Sequence, residues 1–288
     1  MNDSILVLAN FADAAEATAR YADALGAPLH LRLAMLHLDV QPVMLEPELV
    51  AASAEQTQRN EAETMAGLRA LAHRLPGRTE VLEATGIMAD AVAGAVHQQH
   101  PLLLAMGLSH EHSLLDRLLV EQVLPVLRAT HRPLLLVPHD APGGGLPRRV
   151  LVAVDGEPFA PNAASRALAP LLAAWQAAYT VTHVVPGDQA TAPHSRLPLA
   201  DVRASGLLPP DAPLWLYEEA DVTPADGIRQ ALADTQADLL VLIARPRSFL
   251  GRLFHRSVTA QVLRHCPVPV LLVPVEAPEL PGWMPAMS

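Results

Sequence analysis

Aromatic residues are scarce in this sequence: they make up 3% of its 288 residues, whereas hydrophobic residues of all kinds make up 51%. We therefore expect cores that are built mainly from Ala, Leu and Val. Charged residues account for 17%, and this balance lies far from the low hydrophobicity that is typical of disordered chains. The composition predicts a globular protein.

Cysteine is nearly absent as well, since Cys266 is the only one. A single cysteine excludes an intramolecular disulfide and favours a reducing compartment. The sequence MNDSILVLAN shows neither a basic n-region nor a cleavage signal. No apolar run approaches the roughly 18 residues of a membrane helix. We expect a cytoplasmic protein, with no membrane partner.

Positive charge is also in deficit, because 20 cationic residues face 30 acidic ones and leave a formal net charge of −10. Such a chain is repelled by polyanions, which argues against nucleic acid or an anionic membrane as a general partner.

One segment occurs twice. Residues 126–138 are VLRATHRPLLLVP and residues 262–274 are VLRHCPVPVLLVP, which are identical at eight of thirteen positions with a constant offset of 136. A repeat of this period predicts two similar structural units. We assign domain 1 to residues 1–140, a linker to 141–148, domain 2 to 149–276 and an irregular tail to 277–288.

The hydrophobic pattern of each half predicts the order β-α-β-α-β-α-β-α-β. This order is typical of a doubly wound α/β domain, in which helices flank both faces of a mainly parallel five-stranded sheet. Among the expected elements are a long helix over 46–75, a fourth strand over 102–106 that ends before Gly107, and one continuous helix over 162–175.

Three segments of the second half, VLVAVDG (150–156), LLVLIAR (239–245) and SVTAQVLRHCPVPVLLVP (257–274), resemble a universal stress protein domain. The first half resembles it more weakly, so nearly the whole chain looks like a tandem pair. The resemblance implies a doubly wound five-stranded sheet in each half. It also implies that the halves pack as an intramolecular pseudo-dimer, with residues 133–137 opposite residues 269–273; a homodimer of the whole chain is a further possibility.

One branch of that family binds ATP through a G-x2-G-x9-G-[S/T] signature together with an Asp after the first strand. In the second half these positions fall on Ile243, Pro246, Arg256 and Ser257, with the Asp kept as Asp155. All three glycines are missing, so the backbone loses the close approach to phosphate that glycine permits.

The first half departs from the signature in another way. Its positions fall on Gly107, His110, Val120 and Glu121, and Asn10 replaces the Asp. Glu121 would place a carboxylate where a phosphate should lie. The resemblance therefore implies no ATP binding of the family type in the first half and at most weak binding in the second.

Arginines could still bind an anion in the second half, where glycine backbone no longer can. The loop 244–257 holds Arg245, Arg247, Arg252, His255 and Arg256, and it precedes a helix for which Ser257 is the expected N-cap. The alternative is a solvated basic loop on an acidic protein. The candidate nucleotide- or phosphate-binding residues are Asp155, Gly156, Arg245, Arg256 and Ser257, although Asp155 also suits a turn without any ligand.

Other candidate residues favour structural roles. His37 and His183 recur at the end of the second strand of each half, where we expect backbone groups to bind their rings. Cys266 is interpreted as a small buried residue. His97, His100, His110 and His112 do not have the spacing of a zinc site, and no G-x-S-x-G elbow supports a hydrolase.

The sequence therefore predicts a tandem universal stress protein that acts as a binding or adaptor module in a stress response, with an unidentified protein partner. It predicts no catalytic residue, no metal and no cofactor. The alternative is a protein that binds ATP, AMP or phosphate through its second half, possibly a slow ATPase. A small-molecule carrier would need an apolar cavity beside the long helix over 46–75.

Overall fold

The computed structural model of the chain describes residues 4–9, 12–39, 47–108, 119–141, 145–185, 197–245 and 258–276. The strands of the first half are β1 (Ser4–Leu8), β2 (Arg32–Asp39), β3 (Thr79–Thr85), β4 (Leu103–Leu108) and β5 (Leu134–Pro138). Those of the second half are β6 (Arg149–Val154), β7 (Ala178–Val185), β8 (Leu214–Ala220), β9 (Leu239–Ala244) and β10 (Val270–Pro274).

Helices connect these strands. Those of the first half are α1 (Ala12–Gly26), α2 (Pro47–Arg74), α3 (Met88–Gln99) and α4 (Leu124–Thr130), with a 3-10 turn at Ala27–Leu29 and a π-helical turn at Leu119–Val123. Those of the second half are α5 (Ala163–Arg166), α6 (Ala169–Trp175), α7 (Leu197–Ala204), α8 (Pro224–Thr235) and α9 (Val258–Leu263). No helix in the described ranges is long and apolar enough to cross a membrane.

All ten strands belong to one sheet, in the order β3-β2-β1-β4-β5-β10-β9-β6-β7-β8. Each half contributes five parallel strands, and its first and fourth strands are neighbours at the centre of that half. Both faces are buried: Ile5 and Val7 pack on one side of β1, and Leu6 and Leu8 pack on the other. Such burial explains the continuous apolar runs in the sequence and confirms the predicted fold class.

The two halves meet at the middle of the sheet, where β5 and β10 pair in antiparallel orientation. Leu135 lies opposite Leu271, and Leu134 lies opposite Leu272. These strands are the ends of the two copies of the repeated segment, so the predicted pairing of residues 133–137 with residues 269–273 is confirmed.

Two predicted elements differ from the structure. The helix expected over 162–175 is two helices, with a turn at residues 167–168 between α5 and α6. Pro170 explains the break, because proline lacks the N–H that would continue the helical ladder. The fourth strand extends to Leu108, so Gly107 is a strand residue and does not follow the strand.

Candidate functional site

The candidate site of the second half lies at the carboxyl ends of β6 and β9. These strands pair in parallel, with Ala153 beside Leu242, so the residues that follow them reach the same edge of the sheet. This arrangement brings together Asp155 and Arg245, which are 90 residues apart in the chain. Ligands of doubly wound sheets bind at this kind of edge.

Arg245 binds Asp155 through two parallel hydrogen bonds. Its Nε donates to Asp155 Oδ2 at 2.7 Å, and its Nη2 donates to Asp155 Oδ1, also at 2.7 Å. The guanidinium is largely buried, with 14% of the side chain exposed, whereas 53% of the Asp155 side chain is exposed. The hydrogen bonds from Arg245 to Asp155 raise the pKa of the guanidinium, while its partial burial acts in the opposite direction.

The same guanidinium also binds the loop after β6. Nη2 donates to the carbonyl oxygen of Glu157 at 2.6 Å, and Nη1 donates to that of Pro158 at 3.2 Å. An arginine has five N–H donors, and these bonds use four of them. One N–H of Nη1 remains, so Arg245 can bind a phosphate through two parallel hydrogen bonds only if it releases protein atoms that it now holds.

Asp155 also orders its own turn, because its Oδ1 accepts a hydrogen bond from the backbone N–H of Glu157 at 3.2 Å. The carboxylate therefore has partners on the arginine and on the backbone. Solvent screens a pair whose acidic member is half exposed, and the pair contributes on the order of 1 kcal/mol to stability. The main effect of this pair is that Arg245 occupies the position at which a ligand would meet the family's Asp.

Gly156 follows Asp155 with φ +79°, a conformation that favours glycine. A Cβ at this position would lie 2.6 Å from Cε1 of His183. The Nδ1 of His183 lies 3.4 Å from the carbonyl oxygen of Val154. The imidazole thus packs on the glycine backbone and fills the space beside the strand exit.

The other predicted members of this site fall partly outside the described residues. Arg256 and Ser257 do so, as does the rest of the basic loop after Arg245; α9 begins at Val258, directly after the expected N-cap. Ile243, which stands at the first signature position, lies within β9 and packs against the core. The structure brings Asp155, Gly156 and Arg245 together, and their role in binding a ligand stays a prediction.

Gly107, at the first signature position of the first half, has a packing role. A Cβ there would lie 2.5 Å from the Cβ of Ala14 and 2.8 Å from Oγ1 of Thr18, both in α1. The glycine therefore allows α1 to approach β4 closely. Glu121 lies in the π-helical turn, and Asn10 and His110 lie outside the described residues.

The two recurring histidines differ from each other. His183 lies near a backbone carbonyl, as noted above, but both ring nitrogens of His37 are buried and have no hydrogen-bond partner in the described parts of the chain. The expected backbone partner of His37 is thus wrong. The residues after the neighbouring strand differ between the halves, with Asn10-Phe11 in the first and Asp155-Gly156 in the second, so the repeat does not give the two rings the same surroundings.

Cys266 donates its S–H to the carbonyl oxygen of Val268 at 3.4 Å. Burial raises the pKa of its thiol to about 11, so the thiolate is rare at neutral pH. Within the described ranges, no three His, Cys, Asp or Glu side chains are grouped so as to hold a metal ion.

A cluster that the sequence did not suggest lies on β8 and α8. The Tyr217 hydroxyl lies 2.9 Å from Glu219 Oε1 and 2.5 Å from Asp234 Oδ2. These hydrogen bonds, chiefly the one to Asp234, raise the pKa of Tyr217. Strand alternation places Tyr217 and Glu219 on one face, but the contact with Asp234 requires knowledge of how α8 packs.

Comparison with known proteins supports the resemblance seen in the sequence. Residues 147–274 match the model of the universal stress protein family. No curated protein matches the sequence.

Solved structures match the fold over nearly the whole chain. A universal stress protein from Archaeoglobus fulgidus DSM 4304 matches with a TM-score of 0.65 and 16% identity, over 95% of this chain and 97% of that one. A putative universal stress protein from Pseudomonas aeruginosa UCBPP-PA14 matches with a TM-score of 0.54 and 16% identity, over 95% and 94% of the two chains. A functionally unknown protein from Pseudomonas aeruginosa PAO1 gives 0.54 and 16%, over 95% and 93%.

Proposed function

Because residues 147–274 match the universal stress protein family, we propose that this chain is a tandem member of that family and acts in a stress response as a non-enzymatic binding or adaptor module. Its second half does not use the family's nucleotide site. The observation that carries the proposal is that Arg245 donates hydrogen bonds to the Asp155 carboxylate and to the carbonyl groups of Glu157 and Pro158. To reach Asp155, a nucleotide would have to displace a guanidinium that already donates four hydrogen bonds to the protein and is mostly removed from water.

The chemistry of the described site supports this proposal. Among the described residues of the site, no nucleophilic side chain lies beside a base. The thiol of Cys266 is protonated at neutral pH. Binding to another molecule through the surface requires none of these groups. The rival function is binding of ATP, AMP or inorganic phosphate through Asp155 and the basic loop.

Thermal unfolding in the presence of ligands separates the two functions. A ligand that binds the native state at 100 times its Kd stabilises it by about 2.7 kcal/mol, which is readily visible as a shift in Tm. We expect no shift of the wild-type protein with ATP, AMP or phosphate at about 5 mM, and no phosphate release from ATP. A saturable shift, or hydrolysis that Asp155→Asn abolishes, would contradict the proposal.

Arg245→Ala tests whether Arg245 keeps nucleotides away from Asp155. This variant frees the Asp155 carboxylate, so any residual affinity for ribose hydroxyls or Mg²⁺-nucleotide should increase relative to wild type. Arg203→Ala is the matched control, since Arg203 likewise donates to a backbone carbonyl of its own half, that of Pro210, at 2.9 Å. If both variants bind nucleotides equally, the low affinity of the wild-type site does not depend on Arg245.

A further inference from the structure

Strand β8 is the terminal strand of the sheet on the side of the second half. Every second residue of a terminal strand directs its N–H and C=O groups away from the sheet, where another strand can pair with them. The corresponding terminal strand of the first half is β3. Both have the same alternation of exposed and partly buried residues.

The two terminal strands differ at two of their three exposed positions: Thr85 of β3 corresponds to Ala220 of β8, and the larger difference is at the first exposed position. Glu80 is the second residue of β3, whereas Trp215 is the second residue of β8, with 52% of its surface exposed. Charged side chains on edge strands prevent pairing with other chains. Strand β8 has lost this protection at Trp215 and offers instead a large aromatic surface, of the kind enriched at interfaces.

The surroundings of Trp215 are acidic. Alternation places Trp215, Tyr217 and Glu219 on one face of β8, and Asp234 of α8 reaches the same hydroxyl as Glu219. The hydroxyl has one proton, so it can donate to only one of these two carboxylates at a time. Asp234 also accepts a hydrogen bond from Gln230 Nε2 at 3.0 Å, so when the hydroxyl donates to Asp234, Glu219 has no donor among the described residues.

No cation of the described residues neutralises this face. The ion pairs of the described chain do not include Glu218, Glu219, Asp221 or Asp234; the nearest one on α8 joins Arg229 to Asp226. A second copy of β8 would bring like charges together, which is unfavourable in a strand pair. The charge therefore favours a cationic occupant.

We propose that the outer edge of β8 binds an extended cationic peptide segment of a partner protein, which adds to the sheet as an eleventh strand. Alternate Lys or Arg side chains of the segment lie over Trp215 as cation–π contacts and pair with Glu219 and Asp234. The intervening side chains lie on the face of Leu214 and Leu216, which pack against the core, and are apolar. The inference rests on the proposed adaptor function and supplies the chemical class of its partner.

The test uses a fluorescent peptide of about ten residues that alternates Lys and Val, titrated with the full-length protein. We expect saturable binding that weakens with salt, and no binding of the peptide in which Glu replaces Lys. Trp215→Ser should weaken binding by at least about tenfold, because it removes the aromatic contact and leaves the charge of the edge unchanged. Glu83→Gln on β3 is the matched control and should bind as wild type.

The position of the peptide is checked by carbodiimide cross-linking, which joins carboxylates to amines. The chain contains no lysine, so the peptide supplies nearly all the reactive amines. We expect cross-links at Glu219 or Asp234, the carboxylates that pair with the Lys side chains. Cross-links elsewhere, equal affinity of wild type and Trp215→Ser, or no saturation at about 1 mM protein would overturn the proposal.

Sedimentation velocity tests the other possible occupant of this edge, a second copy of the chain. A wild-type dimer that Trp215→Glu converts to a monomer would identify β8 as an interface between copies of this chain and would overturn the peptide proposal. Failure of peptide binding leaves the nucleotide experiments on Asp155 and Arg245 unaffected. A nucleotide-induced Tm shift would refute the proposed function whatever the peptide does.

Discussion

The indole N–H of Trp175 donates to the carbonyl oxygen of Leu25 at 3.1 Å, and this buried bond joins the two halves of the chain. Leu25 belongs to the last turn of α1, where carbonyl groups have no partner within the helix. Trp175, at the end of α6 in the second half, thus donates a hydrogen bond to this carbonyl group in the first half. The halves are also joined by the β5–β10 strand pair and by Asn162, whose Nδ2 donates to the carbonyl oxygen of His131 at 2.8 Å.

We predict that Trp175→Phe lowers the free energy of unfolding by about 2 kcal/mol, because the Leu25 carbonyl loses its donor and the smaller ring leaves space. Urea unfolding followed by circular dichroism measures the change. Trp215→Phe is the control, since Trp215 is exposed, and should change stability by less than about 0.5 kcal/mol. Equal effects of the two substitutions would contradict a role of Trp175 in joining the halves.

Gly107→Ala should destabilise the protein by about 1–3 kcal/mol, because the new methyl group would overlap Ala14 and Thr18 and force α1 away from β4. Gly94→Ala is the control: no atom lies within 4 Å of its added Cβ, and alanine is favoured over glycine inside a helix such as α3 by about 0.5–1 kcal/mol. The Tm should fall for Gly107→Ala and rise for Gly94→Ala. If Gly107→Ala leaves Tm unchanged, the glycine has no packing role.

Gly156→Ala tests the close contact with His183. It should destabilise the protein by about 1–3 kcal/mol, since the alanine must adopt φ +79° and also meet the imidazole. His183→Ala removes the steric part but not the backbone strain. In a double-mutant cycle we therefore expect Gly156→Ala to be less costly when His183 is Ala, with a coupling of about 0.5 kcal/mol or more; additive effects would rule out the contact.

The sequence predicted those features that repeat or that follow from local pattern. The copies of the VLR segment predicted two equivalent halves, and the resemblance to universal stress proteins implied the contact between β5 and β10. Pro170 was a visible signal for the break between α5 and α6. The bond between Arg245 and Asp155 was beyond reach, because it depends on the register of β6 with β9 and on which way a long side chain turns.

The same reason explains other differences. Gly107 has the appearance of a phosphate-loop residue in the sequence, but its role is set by the approach of α1, which lies about 90 residues earlier in the chain. The hydroxyl of Tyr217 meets Asp234 only because α8 packs over β8. Side-chain chemistry of this kind depends on tertiary packing, whereas the element order depends on periodicity.

The raised pKa of Cys266, about 11, leads to a pH-dependent prediction. The folded protein keeps the thiol proton to a higher pH than the unfolded chain, whose thiol titrates near its ordinary value. The stability that this group contributes is complete below the unfolded pKa and is lost as the pH rises through about 11. The difference in unfolding free energy between wild type and Cys266→Ala should therefore decrease over that interval, since the tyrosines titrate in both proteins.

Alkylation of the native thiol by iodoacetamide at about pH 8 should be roughly tenfold slower than in denaturant, because the smaller thiolate fraction is partly offset by the greater nucleophilicity of a thiolate with a higher pKa. Equal rates would show that the pKa of the native thiol is not raised.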